Sequence, residues 1–108
     1  MAKLPRNVDI LDTYVQALYH WEEWNELINL VNQRMNEVEN HSRILFHLAG
    51  AYEQKGFSES AEQYYQASLN AESLNPLGLP ISRDALEKRL ALLREKIRQG
   101  KENERGNF

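Results

Sequence analysis

Apolar residues recur three and four positions apart in five separate stretches of this chain, the spacing that gathers side chains on one face of an α-helix. Leu11, Tyr14, Val15 and Leu18 form the first stripe, and Leu27, Ile28, Val31 and Met35 the second. Leu45, Leu48, Ala49 and Tyr52 follow, then Ala61, Tyr64, Tyr65, Ser68 and Leu69, and finally Leu86, Leu90, Leu93 and Ile97. These stripes predict helices over about 8–21, 24–38, 42–55, 58–69 and 82–99. Gly56 ends the third, because glycine accepts the left-handed conformation common at helix C-termini. Ser42, Ser58 and Ser82 are placed to cap the helices that follow them. Pro76 and Pro80 forbid a helix across 73–81, and the four large apolar residues there, Leu74, Leu77, Leu79 and Ile81, are expected to pack on the helices or on a partner. The class is all-α.

The first two stripes and the next two are related by a shift of 34 residues. It lays Leu11 on Leu45, Tyr14 on Leu48, Val15 on Ala49, Leu18 on Tyr52, Leu27 on Ala61 and Val31 on Tyr65, with Glu22 on Gly56. Self-similarity at such a period marks stacked helix pairs. Leu45, Leu48, Ala49, Tyr52, Gly56, Ala61 and Tyr65 together resemble a tetratricopeptide repeat, and Trp24 stands where many such repeats carry a turn aromatic. Ser68 replaces the family's alanine, and Pro76 comes about three residues late. The resemblance implies a solenoid of about two antiparallel helix pairs plus a C-terminal capping helix, one domain over 8–99. Residues 1–7 are expected as a flexible lead and 100–108 as a disordered tail, with Gly100 stopping the last helix.

Charge changes the picture only at one end. Of the net −3, residues 1–81 carry −6 (5 basic, 11 acidic) and residues 82–108 carry +3 (8 basic, 5 acidic). An acidic body disfavours nucleic acid, and the basic C-terminal helix is interrupted by Asp84, Glu87 and Glu95. The chain has no cysteine, no apolar run of membrane-spanning length and no signal-like N-terminus, so a cytoplasmic protein binding neither nucleic acid nor membrane is expected. His20, His41 and His47 lack metal-ligand spacing, and no phosphate loop or nucleophile motif occurs. No enzyme, cofactor or metal site is therefore expected.

Carried over position by position, the family's concave groove falls on Asp9, Asp12, Gln16, Tyr19 and His20 of the first repeat and on Arg43, Phe46, His47, Gly50, Glu53 and Gln54 of the second. Phe46 beside Gly50 could accept an apolar side chain of a partner; the alternative is that Phe46 packs on the last helix. Asp12 would repel the acidic tails that some members clamp. Tyr14, Tyr52, Tyr64 and Tyr65 are expected in the core. Trp21, Trp24, Leu77 and Leu79 are candidates for contacts at apolar edges left by so short a solenoid. The function implied is a protein-binding module, an adaptor, assembly factor or secretion-type chaperone. Alternatives are a self-associating subunit such as a homodimer or, behind it, a binder of anionic surfaces through the last helix.

Overall fold

A computed structural model describes residues 7–106, with side-chain detail for 8–100. Within them lie six α-helices and no strand: α1 (Asn7–His20), α2 (Trp24–Gln33), α3 (Met35–Val38), α4 (Ser42–Gln54), α5 (Ser58–Leu74) and α6 (Arg83–Gly106). Residues 1–6 of the expected lead and 107–108 of the expected tail lie outside the described residues. No helix among those described is long and apolar enough to cross a membrane.

Three of the expected boundaries differ, the simplest being α5, which runs on to Leu74 where an end near 69 was expected. The second predicted helix is broken at Arg34, whose backbone (φ −113°, ψ 19°) leaves the helical region and whose N–H reaches Val31 O instead of continuing the ladder. The break starts α3 and lets Val38 turn fully into the core. At the other end, α6 runs through Gly100 to Gly106, so residues 100–106 continue the helix where a tail was expected. One glycine weakens a helix by only about 1 kcal/mol, and Arg98, Gln99, Lys101 and Glu102 around it are good helix formers.

The caps are redistributed as well. His41 caps α4, its Nδ1 accepting from the Ile44 N–H at 3.2 Å, and α5 starts at Ser58 without a side-chain cap. Ser82 does cap α6, its hydroxyl accepting from the Ala85 N–H at 3.1 Å. Freed from capping, Ser42 donates to Glu72 Oε1 at 2.7 Å and accepts from Ser68 on its carbonyl at 2.8 Å. The serine that departs from the repeat pattern thus ties α5 to the start of α4. It needs that bond, since a hydroxyl buried without one costs about 1–3 kcal/mol.

The helices fold back in sequence. α1 packs on α2, both pack on α4, α4 packs on α5 and α5 on α6. One core cluster joins Leu11, Val15, Leu18, Leu27, Val31 and Val38 to Ile44, Leu48 and Ala51 of α4. A second joins Phe46 and Ala49 of α4 to Ala61, Tyr65 and Leu69 of α5 and to Leu86, Leu90 and Leu93 of α6. α4 belongs to both, and from Ile44 to Ala51 every residue is buried. Of the residues expected in the core, Leu18, Leu27, Ala61, Tyr65 and Leu90 are buried, while Tyr52 and Tyr64 are half-buried and stacked on each other at 5.6 Å.

The 75–82 connection is held by polar bonds more than by its leucines. Glu72 accepts from the Leu77 N–H at 2.9 Å and the Gly78 N–H at 3.0 Å, and the Arg43 guanidinium donates to Leu77 O at 2.9 Å. Leu77, Leu79 and Ile81 are half-buried, the last two against the second cluster. Leu74, expected to pack, is exposed. It sits two positions after Glu72, about 200° around the helix, on the side turned from the core.

Candidate partner-binding surfaces

The expected groove residues do come together, but mostly to pack on one another. Arg43 grips the buried Asp12 through Nε at 2.9 Å and Nη2 at 2.8 Å, both on Oδ2. Asp12 Oδ1 has no hydrogen-bond partner. His47 donates from Nδ1 to Arg43 O at 2.9 Å, and burial lowers its pKa, so the ring stays neutral. The rings of Trp24, Tyr19, His47, Phe46 and Tyr65 meet edge to face in that order, at 5.2, 5.0, 5.5 and 5.6 Å. Such pairs add roughly 0.5–1.5 kcal/mol each beyond their burial.

Phe46 is buried, sharing the second cluster with Leu86 and Leu90, so it packs towards the last helix and offers no open face. The notch at Gly50 is likewise occupied. A Cβ there would lie 2.7 Å from Tyr19 Cε2, so the chain's own tyrosine fills the space suggested for a partner's side chain. Sequence reasoning missed that Tyr19 is long enough to reach Gly50 and that Phe46 is enclosed by the second cluster. Of the groove set, Asp9, Gln16, His20 and Gln54 remain exposed, and Asp9 turns to the outer side of α1.

The basic helix is largely neutralised. Arg83 pairs with Glu87 at 3.1 Å, Arg89 with Glu53 at 3.5 Å, Arg94 with Glu62 at 3.0 Å, and Arg98 with Glu95. Arg89 also lies over the Tyr65 ring and donates to its hydroxyl, which itself donates to Glu53 at 2.8 Å. Among the described residues no three His, Asp or Glu side chains gather to hold a metal.

Open apolar residues share one face of α1. Ile10 is 56 % exposed and Tyr14 48 %, with half-buried Leu30 of α2 beside them, and Trp21, just past the end of α1, is 74 % exposed. Asp9, Ile10, Thr13, Tyr14 and Ala17 line a shallow hollow there. The Tyr14 hydroxyl donates to Glu26 Oε1 at 3.1 Å, and that carboxylate pushes the phenol pKa up. Tyr14 is therefore a correction to the expected core. Of the other edge candidates, Trp24 is half-buried against Tyr19, and Leu77 and Leu79 are half-buried in the connection. Trp21 alone of the four stands open.

The 34-residue shift explains the Tyr14 result. It sends Ile10, Tyr14 and Ala17 onto Ile44, Leu48 and Ala51, all three fully buried in the first cluster against α1 and α2. On α4 this stripe is covered by the preceding helix pair. No described helix precedes α1, so the same stripe stays open. No protein-family model, curated protein or solved structure matches the chain, so geometry carries the functional reading.

Proposed function

We propose that this chain is a small tetratricopeptide-like interaction module that binds a protein partner through the outer face of α1. The solenoid reading draws support from two turns of the same form, at Glu22 and Gly56, set 34 residues apart. The edge reading rests on one observation: the Ile10, Tyr14, Ala17 stripe is built like a buried one and has no cover within the described residues. Contiguous apolar surface of that kind marks interaction sites in soluble proteins. The groove reading has lost its anchor, because Phe46 and Gly50 are occupied from within.

Binding to nucleic acid or anionic membranes has less support. Such binding draws on loose cations, whereas Arg83, Arg89, Arg94 and Arg98 are each held by a carboxylate. The test compares protein captured by the wild type, by an edge variant (Ile10→Glu with Tyr14→Glu) and by a groove variant (Gln16→Ala with Gln54→Ala). We expect one stoichiometric partner, kept by the groove variant and lost by the edge variant. Loss only in the groove variant would overturn the edge reading, and capture of nothing by any form, a second copy of the chain included, would overturn the module.

A further inference from the structure

The α1 edge has a chemical complement on the same chain. Among the described residues of α6 the one large apolar side chain left open is Leu92, 72 % exposed. Lys88 and Lys96 stand four residues before and after it, so all three share one stripe of the helix, with the ammonium-bearing residues about 12 Å apart along the axis. The arginines of α6 just described are committed to carboxylates, but neither lysine has an ion-pair partner among the described residues.

The α1 edge shows the opposite sign. Its open residues, Ile10 and Tyr14, are rimmed by Asp9 and Glu26. Neither carboxylate has a cation within the described chain. Arg34, the one cation lining this edge among the described residues, is paired with Glu37. Among the described residues, one end of the helix series thus carries apolar surface with negative charge that no cation pairs, and the other an exposed leucine between positive charges that no carboxylate pairs. α1 packs on α2 and α4 while α6 packs on α5, so the two stripes belong to opposite ends of the series.

We infer that the occupant of the α1 edge is α6 of a second copy of this chain, Leu92 seated on Ile10 and Tyr14 with Lys88 and Lys96 facing Asp9 and Glu26. The inference rests on the edge reading above and names its partner. It accounts for the charge asymmetry of the sequence, since the −6 body and the +3 end attract between copies. Exposed charges attract over only about 8–10 Å at moderate salt, so the contact weakens as salt rises.

The experiment is sedimentation velocity over a wide concentration range with the full chain. Wild type, Tyr14→Glu, Leu92→Glu and an equimolar mixture of the two variants are compared, and circular dichroism confirms that each is folded. The substituted residues are exposed, so the fold is expected to be untouched. Wild type should self-associate, and each variant should dissociate roughly tenfold more readily or stay monomeric, as loss of a central anchor does. The mixture should recover a one-to-one dimer and nothing larger, because one variant keeps its α6 stripe and the other its α1 stripe. Raising the salt should weaken the wild-type association, and Lys88→Glu with Lys96→Glu should abolish it.

A wild type that is monomeric at every concentration overturns the inference. So does an association that Leu92→Glu leaves unchanged, which would mean α1 meets α1. If the monomeric chain still loses a different protein on Ile10→Glu with Tyr14→Glu, the edge reading stands and only the choice of partner has failed. If that capture is absent too, both readings fall.

Discussion

The two helix pairs share a turn and differ in what surrounds it. At the end of α1 the Glu22 N–H reaches Tyr19 O at 3.1 Å and the Glu23 N–H reaches Leu18 O at 2.9 Å. At the end of α4 the Gly56 N–H reaches Glu53 O at 3.0 Å and the Phe57 N–H reaches Tyr52 O at 2.9 Å. Both are the paired bonds of a Schellman ending, around a residue at φ 61° in one and 84° in the other. The turn is the same, although one is built on glutamate and the other on glycine. What differs is burial: α4 is enclosed on several sides, whereas α1 has neighbours on one side only. Local geometry follows from the turn's own hydrogen bonds, and burial from a helix's place in the series.

That contrast can be broken most sharply at equivalent positions. Leu48→Glu would bury an unpaired charge in the first cluster and should cost about 3–5 kcal/mol, enough to abolish a cooperative melt in a domain of this size. Tyr14→Glu, its counterpart by the 34-residue shift, should change stability by about 0.5 kcal/mol or less. Equal losses would mean that α1 is covered after all. Next comes Ala61→Leu, where α5 meets α4. Ala49 and Ala61 are both fully buried in that contact, so the added methylenes must force the helices apart, at about 1–3 kcal/mol. The first pair already carries Leu27 at this place, packed among Val15, Leu18 and Ile44. A thermal melt unmoved by Ala61→Leu would refute the close approach.

Much of this was legible in the residues, and what was not has identifiable causes. The five helical stretches followed from spacing, because a helix that buries one side must show the period. The break at Arg34 left no spacing signal: Val31, Met35 and Val38 suit one continuous helix, and the kink serves the distant need to seat Val38. Tyr14 was misplaced because periodicity tells which residues share a face and not whether another helix lies against it. The space beside Gly50 and Phe46 was misjudged for a related reason. Position-by-position transfer places Phe46 and Gly50 on α4, but the notch at Gly50 is filled by Tyr19, 31 residues before it in the chain, and Phe46 is buried against residues of α5 and α6.

The pairs also end differently, and pH separates the endings. The shift sets Val38 on Glu72: the first pair closes with an apolar side chain in the core, the second with a carboxylate bonded to the following connection. Partial burial raises the Glu72 pKa. The Leu77 N–H, the Ser42 hydroxyl, the Gly78 N–H and the charge of Arg43 together outweigh that, and the carboxyl lies below its ordinary 4.5. A group depressed on folding stabilises above its unfolded pKa and loses that contribution as pH falls through the folded value. Thermal stability should therefore decline below pH 4.5 partly through Glu72. Glu72→Gln should cost about 1 kcal/mol at neutral pH and flatten the acid limb. An acid limb unchanged by Glu72→Gln would assign it to other carboxylates.

The smallest effect tests the shared turn most directly, since it concerns backbone alone. A non-glycine residue in the left-handed region costs roughly 1–2 kcal/mol against a right-handed one, while glycine gives back part of that advantage through the larger entropy of its unfolded state. Glu22→Gly should accordingly stabilise the protein by about 0.5–1 kcal/mol, which in a domain this small raises the melting temperature by a few degrees. Gly56→Ala should lower it by a similar amount. A Cβ at Gly56 would meet nothing within 4 Å, so no clash contributes and only the conformation is tested. The two substitutions move opposite ways because the positions are one turn written with different residues. Should Glu22→Gly destabilise instead, the Glu22 side chain makes an interaction worth more than the strain it carries, and the equivalence of the two turns would end at their hydrogen bonds.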